Sequence, residues 1–168
     1  MRQRCGTLVF LLILASTSAI ALDQGDVRKL TATNVCLGCD LRGAHFIGTK
    51  LIGVNLVGSD LRGIQLIGRS SDLRGADLRG VDFRKSILWR VDLSGADLSK
   101  ANLSGASLVG ASLIGTAINQ ANLRGADLRK AFLFGANFSG ANLRDANLEG
   151  AYFCRTMMPS GKENNSGC

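Results

Sequence analysis

The residues best suited to chemistry in this chain are five cysteines, one histidine and a recurrent set of aspartates. Cys36-Leu37-Gly38-Cys39 has the spacing of a thiol–disulfide exchange pair, and that chemistry wants a helix N-terminus following a strand to lower one thiol pKa. No βαβ pattern surrounds it. His45 stands alone, so neither a histidine-dependent triad nor a multi-histidine metal centre can be assembled. Asp72, Asp77, Asp82, Asp92, Asp97 and Asp127 offer carboxylates, but glycoside hydrolysis needs two differently tuned carboxyl groups facing across a cleft. These recur in steps of five residues or multiples of five, which points to a structural demand: side chains solvated or bonded to backbone. Asn-x-Ser occurs at Asn102, Asn137 and Asn164, and matters for glycosylation only in a eukaryotic source.

The elements that hold these residues follow from the same period. One five-residue phrase repeats through the chain: ADLRG at Ala76–Gly80, ANLSG at Ala101–Gly105, ANLEG at Ala146–Gly150. Its third position is Leu, Phe or Ile in all 23 copies from Leu41 to Phe153, and its first is small or modest in size, most often Ala. A repeat of this kind decides the fold before any single element does. A helix would smear the leucines around its barrel, and strand alternation would flip them from face to face. A chain that turns a corner once per repeat keeps positions one and three inside and two, four and five outside, with the frequent Gly at position five fitting the bend.

The phrase A(D/N)LXX resembles that of the pentapeptide-repeat proteins over Cys39–Arg155. The resemblance implies an all-β fold, a right-handed quadrilateral parallel β-helix in which four repeats make one square coil. Nearly six coils would then stack over about 28 Å at the spacing of neighbouring strands. Exported cyanobacterial members are similar at both ends, with a short helix leading into Cys36-Leu37-Gly38-Cys39-Asp40-Leu41 and a closing segment with Cys154, Met158-Pro159-Ser160-Gly161 and Asn164-Asn165-Ser166-Gly167-Cys168.

In chain order, residues 1–21 read as a secretory signal peptide: Arg2 and Arg4, an apolar run from Leu8 to Leu14 too short for a membrane span, and an Ala19-Ile20-Ala21 cleavage site. Removing it takes the net charge from +7 to +5. Residues 22–38 form an N-terminal cap with a short helix over Asp26–Ala32, since the open end of a solenoid needs a cover. The β-helix occupies 39–155, broken by a two-residue insertion at Arg69-Ser70 that is expected to form a bulge and leave the coil phase intact. Ser86–Arg90 and Thr116–Gln120 are the least regular copies, where local distortion is expected. A capping loop follows at 156–168.

With the coil count implied by the resemblance, Cys36 and Cys39 sit some 25 Å from Cys154 and Cys168, beyond the ~7 Å Cα limit of a disulfide. Pairs Cys36–Cys39 and Cys154–Cys168 are therefore expected in an exported chain, and a four-cysteine zinc site is excluded.

Stacking at twenty-residue intervals also writes out the surface. One column reads Arg42, Arg62, Arg84, Ser104, Arg124, Arg144, beside Asp40, Asp60, Asp82, Asn102, Asn122, Asn142. It reads first as a solvated charge ladder and alternatively as an anion-binding strip, with uncompensated charge toward Arg124 and Arg144. A second column, Ile47, Ile67, Trp89, Val109, is apolar, and its neighbour adds Ile52, Ile114 and Phe134, with Phe132 and Tyr152 alongside. Contiguous apolar strips of this kind mark interfaces, unless a terminus folds over them or Trp89 turns inward. The expected function is a non-catalytic exported scaffold binding a protein partner or forming a homodimer. The alternatives are a redox protein using Cys36 and Cys39 and, less favoured, a nucleic-acid mimic, which some members of the resembled family are and which needs an acidic surface this basic chain lacks. Neither enzyme activity, cofactor nor metal is expected, nor a nucleic-acid or membrane-surface partner. The expected location is the periplasm or secretion, or the thylakoid lumen in a photosynthetic source.

Overall fold

A five-residue step leaves five backbone N–H groups per repeat to be satisfied, and the fold is the arrangement that satisfies them. The computed structural model describes residues 24–46, 48–67 and 71–168; the leader over 1–21, the column residue Ile47 and the inserted pair Arg69 and Ser70 lie outside these. Second positions pair as single-residue parallel bridges between successive coils, such as Asp40 with Asp60, Asp82 with Asn102 and Asn102 with Asn122. The spacing is twenty residues except across the insertion, where Lys50 pairs with Asp72 and Asp60 with Asp82. Second positions thus continue to stack on second positions, and the coil phase is kept.

Four columns define four faces, taken here as the first (from Asp40), second (from His45), third (from Lys50) and fourth (from Val35). Around one coil the third-position N–H donates upward (Leu41 to Asp60 O, 2.9 Å) and the fifth-position N–H does likewise (Gly43 to Arg62 O, 3.0 Å). The second-position N–H donates downward (Asp60 to Cys39 O, 2.8 Å), and the first closes the corner within its own turn (Ala44 to Leu41 O, 3.2 Å). Every described fifth position from Gly38 to Arg155, glycine or not, holds a left-handed backbone, for example Lys100 at φ 61° and Gly105 at φ 64°.

Leucines and phenylalanines of the third position and small residues of the first fill one continuous buried cluster. Ser86 and Thr116, in the two copies expected to distort, instead keep register: Ile87 bridges Ser107, and Ala117 bridges Asn137. Their hydroxyls explain it. Ser86 Oγ donates to Leu61 O (2.8 Å) and Thr116 Oγ1 to Leu93 O (2.8 Å), so a polar first position is buried without an unsatisfied group.

The ladder begins at Val35, which bridges Asn55, so Cys36 occupies a third position in the core and Cys39 a first. A ten-residue helix, α1 (Gln24–Thr33), precedes it and buries Val27 and Leu30 in the same cluster. Asn34 ends the helix with φ 58°, its N–H donating to Leu30 O (2.9 Å). At the other end β1 (Thr156–Met157) pairs antiparallel with β2 (Glu163–Asn164), while Met157 also bridges Asn137. Gly167 is held against Phe153, where an added Cβ would lie 2.6 Å from the Phe153 carbonyl oxygen.

Leu103 is fully buried mid-solenoid, whereas Leu148 in the last coil is only half-buried. Leu103→Ala is expected to cost about 2–5 kcal/mol and Leu148→Ala clearly less, measured by urea unfolding; equal costs would contradict a core continuous through the stack.

Candidate interaction surface

The fourth-position N–H is the one left over by the ladder, and the second-position side chain takes it. Asp60 Oδ1 accepts from Arg62 N–H (3.2 Å), Asn55 Oδ1 from Val57 (3.2 Å) and Asn122 Oδ1 from Arg124 (3.1 Å). This is why aspartate and asparagine recur there.

Where Arg follows Asp two residues on, the pair closes as a fork. Arg62 Nη2 meets Asp60 Oδ2 at 2.6 Å and its Nε lies 3.8 Å from Asp82 Oδ2 in the next coil; Arg42, Arg74 and Arg79 bridge coils likewise. Hydrogen bonds from the arginine hold Asp40, Asp60, Asp72, Asp77 and Asp127 below the usual carboxylate range, against an opposing effect of burial. At Asp82 burial is the largest single influence, yet the bonds from Arg84 still bring the carboxyl down. The charge expected to lie uncompensated at Arg124 and Arg144 is met in part by Asp145, a fifth-position residue whose Oδ2 lies 3.3 Å from Arg124 Nε and 3.7 Å from Arg144 Nε. The first face is therefore paired one to one over its first three coils, while Arg124 and Arg144 share the single carboxylate of Asp145 and keep one positive charge in excess.

Cys36 is bonded to Cys39 and Cys154 to Cys168. Asp26 lies within 4.8 Å of both N-terminal sulfurs, but sulfurs bonded to each other are not thiolate ligands. His45 is half-buried on the second face, opposite Gln65.

The second and third faces depart from the turn rule. Their second positions include Gln65, Ile87, Ser107, Ser112, Phe132 and Tyr152 in place of Asp or Asn. The backbone N–H groups of Trp89, Val109, Ile114 and Phe134 accordingly have no protein acceptor among the described residues. Apolar side chains stand on the same repeats. Trp89 points outward, 47% exposed, with Nε1–H donating to Ser107 Oγ (2.6 Å), and Ile114 and Tyr152 are 43% and 48% exposed. Phe132 stacks on Tyr152 at 5.0 Å between ring centroids and meets Phe134 edge-on at 6.3 Å. Ile67, Val109 and Phe134 are half-buried, and Ile52 at the N-terminal end of the third face is 49% exposed. Each local turn bond given up on these faces coincides with apolar surface shown to solvent, a combination that local foldability does not ask for.

The depressed aspartates set the pH behaviour. Folded values below the unfolded value of about 3.9 give stability that is fully present above that value and is lost as the pH falls through the folded ones. The thermal midpoint is expected to fall below about pH 4. Asp60→Asn keeps the turn bond and should cost about 0–1 kcal/mol, while Asp60→Ala should cost roughly a further 0.5–1.5 kcal/mol; equal effects would show the turn bond contributes nothing.

No curated protein matches the chain by sequence. Among solved structures it resembles full-length QnrB1, a plasmid-mediated fluoroquinolone resistance protein, at 19% identity over 68% of this chain and 60% of that one, with a TM-score of 0.53. HetL, a pentapeptide repeat protein involved in heterocyst differentiation regulation from the cyanobacterium Nostoc, is 22% identical over 83% of this chain and 98% of its own, with a TM-score of 0.42. A pentapeptide repeat protein of the Arabidopsis thaliana thylakoid lumen is 36% identical over 46% of this chain and 61% of its own, with a TM-score of 0.30. The QnrB1 likeness carries the fold, a right-handed β-helix, and nothing of that protein's activity. The family model described as pentapeptide repeats matches residues 36–66, 69–99, 90–125 and 121–158, most of the same stretch that the bridges build into coils, and the chain belongs to the pentapeptide-repeat family.

Proposed function

We propose that this chain is an exported, non-catalytic scaffold whose second and third faces bind a protein partner or a second copy of itself. Pentapeptide-repeat proteins are generally scaffolds and interactors. The observation that carries the reading is the coincidence, around Trp89, Ile114 and Phe132, of abandoned turn bonds with exposed apolar side chains. Aromatic anchors at the centre of such a patch are the usual source of binding energy. Export is supported by the leader pattern over 1–21 and by two disulfides in so short a chain. The redox alternative is disfavoured because Cys36 and Cys39 are 0% and 2% exposed, and exchange requires access to the sulfur under attack.

Light scattering on the oxidised chain, beside Trp89→Asp and a pull-down from the native exported fraction, tests the binding face. Association that the substitution abolishes, as a dimer or as a retained partner, is the expected result; complexes indifferent to Trp89→Asp, or none at all, would sink the reading.

Helix α1 is proposed to close the N-terminal end of the solenoid. Support comes from buried Val27 and Leu30 and from Asp26 Oδ2 accepting the Asp40 N–H (2.9 Å). Leu30→Ala should then cost about 2–5 kcal/mol, against less than about 0.5 for exposed Lys29→Ala, both read from urea midpoints; a neutral Leu30→Ala would reduce the helix to an appendage.

A further inference from the structure

We propose that the corner between the second and third faces is a docking groove for an acidic segment of a partner protein, a carboxylate seated between two cations with apolar side chains close by in the segment. This rests on the binding face proposed above and names the chemistry of what binds there.

Fifth positions along this corner read Arg90, Gly110, Lys130 and Gly150 in successive coils. Each basic stem reaches toward the glycine of the next coil: a Cβ on Gly110 would lie 3.4 Å from Arg90 Cγ, and one on Gly150 would lie 3.6 Å from Lys130 Cγ. The Arg90 stem therefore lies over Gly110 and the Lys130 stem over Gly150, which sets the two cationic side chains about 10 Å apart, two strand spacings. Neither Arg90 nor Lys130 has a carboxylate partner among the described residues, in contrast to the forked arginines and to neighbouring Arg129, which Asp127 occupies at 2.7 Å. Two cations without a carboxylate partner that line one depression call for an anion.

Two depressions meet at Arg90 and Val109. One, of about 600 Å³, lies over Gly110 and Ser112 with Phe132 and Tyr152 at its wall. Its shape follows from the stacking: Tyr152 covers one side of Phe132, and on the other side the next coil offers only Ser112, so the aromatic column stops one ring short. The other, of about 400 Å³, is bounded by Ile67, Trp89 and Val109. Apolar side chains fit both, and the carboxylate lies between them.

A saccharide is matched less well. Trp89 Nε1–H is spent on Ser107, and Asp92 Oδ1, an acceptor in the larger depression, already takes the N–H and O–H of Ser94 (3.0 and 2.6 Å). Sugar hydroxyls would find free donors in Arg90 and Lys130 but few free side-chain acceptors, whereas apolar side chains need neither. The net charge of +7, or +5 without the leader, favours encounter with an acidic partner.

The variant Arg90→Gly/Lys130→Gly removes both cations while placing glycine where φ is 55° and 57°, so the backbone is relieved and the unfolding midpoint should hold or rise. Random peptides displayed on phage are selected on the oxidised wild-type chain and titrated by the emission of Trp89, the single tryptophan. The expected outcome is enrichment of peptides with Asp or Glu near apolar residues, a saturable shift in Trp89 emission, and binding about tenfold or more weaker to the double variant. Absence of enrichment, enriched peptides without acids, equal binding to the double variant, or a saturable response to polygalacturonate alone would each overturn the proposal. Peptides lost on Trp89→Asp but retained by the double variant would leave the binding face standing and remove the acidic-segment assignment.

Discussion

One hydrogen bond decides what this repeat is made of: the fourth-position N–H donating to the side chain two residues before it. In the inner coils the other four N–H groups of a turn are satisfied by backbone, three by neighbouring coils and one by the turn itself. Those bonds place no demand on side-chain identity. The fourth does, and it accounts for the recurrent aspartates that the repeat demands at its second position. Given that bond, arginine two residues after aspartate falls where it can fork onto the same carboxylate and reach the one above, so the charge ladder is a by-product of the turn.

Because the turn bond is optional for any single repeat, the surface can be varied face by face without disturbing the coil. The buried first and third positions continue unbroken beneath Gln65, Ile87, Ser112 and Phe132, and the inter-coil bridges at those residues and at Tyr152 are intact. Scaffold and decoration are thus separated within five residues: three backbone partners and two inward side chains build the coil, and positions two and four are released to display whatever a partner needs. The first face keeps the rule in all six coils, while the second and third give it up over a contiguous patch.

The ends are the places where the repeat cannot satisfy itself, and the chain changes character there. At the N-terminus Cys36 stands where leucine would otherwise be, joined to Cys39 across the corner, with Val27 and Leu30 of α1 in the same buried cluster. At the C-terminus Leu143, Leu148 and Phe153 are half-buried beside a two-stranded hairpin tied back by Cys154–Cys168 and by Gly167 N–H donating to Phe153 O (2.7 Å). Each disulfide lies within one end, so neither spans the stack; the coils between are held by their own packing and ladder.

The sequence by itself determined the repeat, its inward third positions and the bend at the fifth, because each of these is enforced within five residues; the twenty-residue columns came with the four-repeat coil that the family resemblance implies. Trp89 pointing outward follows from its fourth position, whereas the register of Asp60 on Asp82 across the insertion is an expectation that the bridges decided. Only the tertiary structure decided what lies between columns. Asp145, read along the sequence as one more corner residue, sits between Arg124 and Arg144 and neutralises a charge that column counting left exposed. Ser86 and Thr116 look irregular in the phrase, but their hydroxyls meet carbonyls 25 and 23 residues earlier, a bond no local pattern announces. The groove between Arg90 and Lys130 arises where a corner glycine and a small serine fall side by side on adjacent faces. Periodicity specifies which residues share a column, but gaps and charge pairs across a corner depend on the size and reach of side chains that meet only once the coils are stacked.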